Sequence, residues 1–344
     1  MKKVLLLGGS GFIGSAIAEA LAKRGDFVTV PTRDRERAKH LLLLPTCDVV
    51  SANIRDPNTL DNLIRAHDVV INLVGILHGD FEAVHVKFPA LVAEACARHH
   101  VQRLVHMSAI GADIAGPSEY LRSRGRGEAV VQEIAKRSGL AVTVFRPSVV
   151  YGEKDKFLNM FMGLVKLFPV IPLGSPDATF QVVWVQDVAR ALTMAIDMPE
   201  TIGKTYPLVG PKVYTLRQLI EFVIQISGRR RMVIGLGAGL STLQATVFEF
   251  LPGKIMTRDN VASMQIPNTS NEPFPVIFGR PAVMEDTVYG YMHQGGIVGI
   301  NGISGVNGVG GINGVDGAGG RGRYQHFREG IDDVKTHEAA DKNV

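Results

Sequence analysis

A chain of 344 residues, 46% hydrophobic and 20% charged, has the composition of an ordinary globular protein and enough apolar material for a sizeable core, in one large domain or two smaller ones. Its net charge of +4 comes from scattered Lys and Arg, with Arg229-Arg230-Arg231 the one compact run, and it lacks the long basic stripe with interleaved aromatics that marks a nucleic-acid binder. Two cysteines, Cys47 and Cys96, give no disulfide framework and point to a reducing compartment; the adjacent His99 and His100 cannot face one site, so no metal centre is expected.

In chain order, Met1–Leu7 carries an apolar run too short for a signal peptide, and glycines follow it instead of a cleavage site, so it reads as a buried first strand. No stretch reaches the roughly 20 apolar residues of a membrane span, which suggests a cytoplasmic protein with at most peripheral membrane contact. Val4–Leu7, Phe27–Val30, Val49–Ala52, Val69–Val74, Arg103–Met107 and Ala141–Phe145 read as strands. Helical segments alternate with them, the first presenting Ile13, Ile17, Ala20 and Leu21 on one face. Continuous apolar strands alternating with helices predict a doubly wound α/β domain over residues 1–150, a parallel sheet covered on both faces. From Tyr151 the rhythm changes. Helices are expected over Phe157–Phe168, over Leu216–Ser227 opened by Thr215, and over Ser241–Leu251 ended by Pro252-Gly253, with a strand-like piece at Gln181–Val185. The first of these is apolar on nearly every side, which favours core burial over docking on a membrane or partner. Residues 151–292 therefore form a smaller α+β domain. From Gly296 to Gly320 glycine recurs at every third position without proline, so residues 293–344 read as a disordered tail.

The chemistry begins at Gly8-Gly9-Ser10-Gly11-Phe12-Ile13-Gly14, between the first strand and the first helix. Gly8 allows the tight turn, Gly11 lets backbone approach a pyrophosphate, and Gly14 lets the helix pack closely on the sheet; Ser10, Phe12 and Ile13 complete the cradle. The helix N-terminus offers N–H groups and a positive dipole end to phosphates. At the end of the second strand, where an Asp or Glu would grip a ribose 2′-OH, stand Thr32, Arg33, Arg35 and Arg37. Arg33, helped by Thr32 and Arg37, suits a 2′-phosphate, so NADP(H) is expected ahead of NAD(H); the alternative is a solvated basic helix start. Asn53 and Ile54 are placed to flank the adenine, and Asn72, Val74 and Gly75 to line the path of the ribose and diphosphate. Ser108 ends the fifth strand, and Tyr120 precedes Arg124 by one helical turn, which puts phenol and guanidinium on one face. A tyrosine beside a cation can exchange a proton with a carbinol or carbonyl, although such a pair is more often structural.

These features, with Arg146-Pro147-Ser148-Val149-Val150-Tyr151-Gly152, resemble the extended and atypical short-chain dehydrogenases/reductases. Within them the chain looks most similar to the nucleotide-binding accessory subunits of respiratory complex I and their bacterial relatives. The closer likeness rests on Val30–Arg33, Asn72–His78, His106–Asp113, Tyr120–Glu128, Phe145–Gly152 and Pro211–Leu219, within residues 1–290. The resemblance implies a Rossmann core, bound NADPH held as part of the structure, and association with subunits or assembly factors of NADH:ubiquinone oxidoreductase, at the cytoplasmic face of the inner membrane. It places Pro147 and Ser148 against the nicotinamide, where a rigid turn is the other reading of the pair. Enzymes of the superfamily carry Tyr-x-x-x-Lys; Arg124 stands at the lysine, keeps the charge, and releases no proton at working pH. The serine position falls on Ser108 or Ala109. A working NADP-dependent oxidoreductase or epimerase-like enzyme, with Tyr120 as acid/base, and a nucleotide-sensing regulator are the alternatives.

Overall fold

The protein is described here from a computed structural model over residues 1–236 and 258–292. The strands are β1 (Lys3–Leu7), β2 (Phe27–Thr32), β3 (Cys47–Ser51), β4 (Val69–Asn72), β5 (Arg103–Met107), β6 (Val142–Pro147), β7 (Val150–Tyr151), β8 (Val170–Gly174), β9 (Thr179–Phe180), β10 (Val183–Trp184), β11 (Thr205–Leu208), β12 (Tyr214–Thr215) and β13 (Met232–Leu236). The helices are α1 (Phe12–Arg24), α2 (Pro57–Arg65), α3 (Phe88–Arg98), α4 (Glu119–Ser138), α5 (Phe157–Leu167), α6 (Val185–Ala195) and α7 (Leu216–Ile226), with short helices at Arg258–Ser263 and Met284–Met292.

Seven strands form one parallel sheet in the order β3-β2-β1-β4-β5-β6-β11. The central strands are largely apolar because both faces of the sheet are covered. In β1, Val4 and Leu6 enter the core shared with α1 and α6, whereas Leu5 and Leu7 enter the core shared with α2, α3 and α4. All four side chains are fully buried, each stabilising the fold by about 1.5–3 kcal/mol relative to exposure. This is a Rossmann-like doubly wound sheet, and the strand order reverses at β1, which lies between β2 and β4.

The seventh strand, β11, comes from beyond residue 200 and was not expected from the sequence. Its Pro207 removes a ladder donor, which an edge strand tolerates and which hides the strand from pattern reading. Residues before it are also tied to the sheet. The buried Arg103 guanidinium at the start of β5 donates to the carbonyls of Ala195 and Met198 and to Thr201 Oγ1, closing the C-terminal end of α6. Asp197 pairs with Lys2 and Arg24.

A third core gathers Phe161 and Val165 of α5, Leu219, Ile220 and Val223 of α7, and Ile171 and Leu173 of β8. The apolar faces of α5 are thus met largely by protein. Thr215 opens α7 as expected, in a capping box with Gln218. β8 and β13 pair as a separate two-stranded parallel ribbon. Among the described residues no helix is long and apolar enough to cross a membrane. The helix expected over Ser241–Leu251 and the Gly-repeat stretch lie outside the described residues.

Candidate functional site

The crevice at the C-terminal ends of β1 and β4 is where doubly wound sheets take ligands. Gly8 adopts φ +85°, a left-handed conformation natural to glycine, and its carbonyl accepts from Gly11 N–H at 3.1 Å. A Cβ on Gly14 would stand 2.4 Å from that same carbonyl oxygen, so α1 rests directly on the turn. No side chain caps α1, and its first turn carries no acid. The cap groups therefore remain for an anionic ligand. The Ser15 hydroxyl donates to Gly11 O and accepts from His40 Nε2, each at 2.8 Å, pinning the turn to the short helix Glu36–Leu43. Ser10, Phe12 and Ile13 are each half-buried, with the Phe12 ring under Gly152.

At the end of β2 the basic cluster divides. Thr32 is buried and its hydroxyl exchanges hydrogen bonds with the backbone of Asp34, so it shapes the turn. Arg37 pairs with Asp34 at 3.1 Å. Arg33 is exposed and joins no ion pair among the described residues. Asn53 is exposed, its side chain accepting from Arg55 N–H, and Ile54 is half-buried beside the second core. Asn72 is spent inside the protein. Its carbonyl accepts from Val74 N–H at 3.1 Å, and its amide donates to His106 Nδ1 at 3.3 Å.

Tyr120 and Arg124 come together as their spacing predicts, with the guanidinium carbon 5.6 Å from the ring centroid. Arg124 is buried, and it donates to Met107 O at 3.2 Å. The guanidinium closes against Gly75, where a Cβ would be 2.0 Å from Nη2. Among the described residues its Nε has no partner, and neither does the buried Ser108 hydroxyl. Buried polar groups without a partner are rare, and these two lie on neighbouring elements, at the end of β5 and in α4. Ala109, the other candidate at the serine position, is buried.

Two histidines lie close to Arg124, and neither was singled out in the sequence. His85 lies in a π-helical stretch, Glu82–Lys87, stacked on Phe81 with Tyr120 edge-on. Its Nε2 accepts from Ile76 N–H at 3.0 Å. Its Nδ1 then donates to Ser123 Oγ at 2.9 Å, whose own proton goes to Tyr120 O. Burial, with the Arg124 charge second, pushes His85 down to about 3, and the same two causes push His106 down to about 3. Both rings are neutral in the fold, whereas unfolded histidine protonates from about 6.5 downward. Their contribution to stability is therefore complete above pH 6.5 and lost as the pH falls toward 3. In chemical denaturation followed between pH 6 and 4, we expect the unfolding free energy to fall by up to about 1.4 kcal/mol per pH unit for each histidine. His106→Gln should remove one proton from that slope; an unchanged slope would show that His106 is not buried neutral.

Pro147 and Ser148 are buried at the end of β6. The Ser148 hydroxyl is taken by Asn268, whose side chain also accepts from Val149 N–H at 3.1 Å. Asp259 accepts from the N–H groups of Glu119 and Tyr120, and Ser118 Oγ from Leu121 N–H, so two acceptors seat the start of α4. Asn268 and Asp259 arrive from more than a hundred residues away in sequence, and no local pattern marks them. The Glu128 carboxylate grips Arg146 through two bonds, at 2.9 and 2.8 Å, and holds α4 to β6.

Residues 4–209, more than half of the chain, match the NAD dependent epimerase/dehydratase family. The chain belongs to this family. Its relatives include the mitochondrial NADH-ubiquinone oxidoreductase 40 kDa subunit of Neurospora crassa, 28% identical over 298 residues, which are 83% of this chain and 78% of that one. The mitochondrial NADH dehydrogenase (ubiquinone) 1 alpha subcomplex subunit 9 of Mus musculus is 30% identical over 234 residues, 65% of this chain and 61% of its own length. The match thus spans less than two thirds of the mouse relative. Among solved structures, the UDP-glucuronic acid 4-epimerase of Bacillus cereus, in complex with UDP-glucuronic acid and NAD, superposes with a TM-score of 0.65, covering 85% of this chain and 99% of the epimerase. At 19% identity that likeness concerns the fold alone.

Proposed function

We propose that this protein holds NADP(H) as a standing part of its structure and serves as an accessory subunit or assembly factor of respiratory NADH:ubiquinone oxidoreductase, at the cytoplasmic face of the membrane. The observation that carries the reading is Arg124. A buried guanidinium bonded to the end of β5 and pressed on Gly75 can fix a ribose or phosphate oxygen, but it does not relay protons. The two complex I subunits among its relatives supply the partner class. The glycine turn would hold the diphosphate, Asn53 and Ile54 would border the adenine, and Ser108, Tyr120 and Arg124 would face the nicotinamide end. When bound, the dinucleotide can accept or give a hydride. As a ligand of the folded state alone, it also adds stability by mass action.

The preference for NADP(H) rests on Arg33, which follows β2 directly, is exposed and joins no ion pair among the described residues. Arg33→Ala should weaken NADPH relative to NADH by about 1.5–3 kcal/mol, roughly ten- to a hundredfold, in calorimetric titrations. An equal loss for both cofactors would remove Arg33 from the 2′-phosphate site.

The deciding experiment for the function is release of the nucleotide from protein purified without added cofactor, with identification by mass spectrometry. Stoichiometric NADPH that candidate carbonyls and quinones do not oxidise supports a held cofactor. An empty or readily exchanging site favours the second reading, an oxidoreductase or epimerase-like enzyme. That alternative draws on Tyr120, half-exposed over Arg124, and on the unpartnered Ser108 hydroxyl. Turnover that disappears in Tyr120→Phe while NADPH affinity stays would establish the enzyme.

A further inference from the structure

The ribbon formed by β8 and β13 has one face turned inward and one left bare. Ile171 and Leu173 are buried in the third core. The alternate residues point the other way: Val170 and Met232, which are register partners, are 37% and 58% exposed, and Ile234 is 45% exposed. Leu167 and Phe168, at the end of α5 just before the ribbon, are 76% and 51% exposed. These five exposed large apolar side chains are neighbours in chain or in ladder register, unlike singly scattered surface hydrophobics.

The rim of this patch is basic. Arg229 donates to Lys166 O and Arg231 to Val165 O, so the arginine run is wrapped around the C-terminal end of α5, directly beside Leu167 and Phe168. Lys166, Arg229 and Arg230 are exposed, and none of Lys166, Arg229, Arg230 and Arg231 joins an ion pair among the described residues. Elsewhere on the described surface many Lys and Arg are matched by carboxylates, as in Arg126 with Glu82 and Glu119. A cluster of unmatched cations around bare Leu, Phe, Met and Ile is complementary to one kind of surface, in which negative headgroups lie over hydrocarbon.

We propose that this patch docks the protein on an anionic lipid bilayer, with Leu167, Phe168, Met232 and Ile234 entering the headgroup boundary and Lys166 and the three arginines meeting lipid phosphates. The patch makes no use of the dinucleotide crevice, so the proposal stands apart from the reading of that site. A bare apolar face can also be covered by a second copy of the chain. The unmatched charges decide against this, because a face that repeats itself across a two-fold axis would bring the same cations together.

The test is cosedimentation of the full chain with vesicles of phosphatidylcholine alone and of equimolar phosphatidylcholine and phosphatidylglycerol. The protein should pellet with the anionic vesicles only, and increasing salt should release it. Met232→Glu combined with Ile234→Glu should abolish binding. Both residues are exposed, so the variant should keep its thermal transition and its dinucleotide affinity. Lys166→Gln combined with Arg230→Gln, two cations whose side chains are not used inside the described fold, should lower binding about ten- to thirtyfold. Failure of the wild type to pellet with anionic vesicles would overturn the proposal, as would binding indifferent to the charge variant. A wild-type dimer by light scattering that the Met232/Ile234 variant dissolves would assign the face to self-association and overturn it equally. Neither result would touch the nucleotide released on denaturation, which tests the crevice separately.

Discussion

Replacing Arg124 with methionine is expected to erase a preference for NADPH over NADP+ that the wild-type guanidinium should impose. With the diphosphate held at the start of α1 and the adenosine toward β2 and β3, the nicotinamide half of a bound dinucleotide would run over the ends of β4 and β5. Arg124 lies there, against Gly75 and bonded to Met107 O. The oxidised ring is a cation and the reduced ring is neutral. No carboxylate pairs with Arg124 among the described residues, and His85 and His106 behind it are held neutral, so its charge stands uncompensated. At an effective dielectric of about 20, two unit charges about 6 Å apart repel by roughly 3 kcal/mol, on the order of a hundredfold in affinity. Calorimetric titration of wild-type protein should therefore give NADPH about a hundredfold tighter than NADP+. Arg124→Met should bring the two within a few-fold, and Arg124→Lys should keep most of the gap. Equal affinities in the wild type would show that the guanidinium does not act on the ring.

The second large effect belongs to Gly127. Helix α4 carries Gly125 and Gly127 in its interior, where each costs about 1 kcal/mol relative to alanine. The neighbouring backbones explain both. A Cβ on Gly125 would lie 2.5 Å from the carbonyl carbon of Asp113, and one on Gly127 would lie 1.7 Å from His85 O. The helix is thus pressed on the π-helical stretch that aims His85, and it carries Tyr120 and Arg124. Gly127→Ala has to push the two apart, at a cost of about 3 kcal/mol or more, or roughly 6–12 °C in Tm. Dinucleotide affinity should fall with it. Gly163 in α5 is the matched control, since nothing among the described residues lies within 4 Å of its added Cβ. There the substitution to alanine should be neutral or stabilising by about 0.5–1 kcal/mol. Similar melting curves for the two variants would mean that α4 has room to shift.

Both expectations concern residues of unequal visibility in the sequence. The six strands from β1 to β6 were readable within two or three residues at their ends, because buried parallel strands leave unbroken apolar runs. The glycine turn was readable because its three glycines do separate jobs in a fixed order. Tyr120 and Arg124 were readable from helical spacing alone. What lies behind them was not. His85 gains its meaning from burial beside Arg124, and Asn268 and Asp259 from long-range closure that no window contains. The basic run after β2 shows the same limit at finer scale. Sequence could offer Arg33, Arg35 and Arg37 for one phosphate, but only in the fold does Asp34 claim Arg37 and Thr32 turn back on the chain.

The edge strand β11 has a consequence for how the protein is made. Its ladder with β6 joins Thr205 to Val144 and Leu208 to Pro147, and the Arg103 guanidinium waits on carbonyls at 195 and 198. A nascent chain therefore leaves the ribosome with the glycine turn and six strands complete, yet with one sheet edge open and one buried cation unsatisfied. Until residue 208 clears the exit tunnel, the open margin of β6 is a template for strand pairing with any neighbour. Synthesis at about 5–20 residues per second stretches that interval to several seconds. The last strand of the sheet is thus also its guard against aggregation, and a truncation anywhere between the two halves would leave the margin open for good.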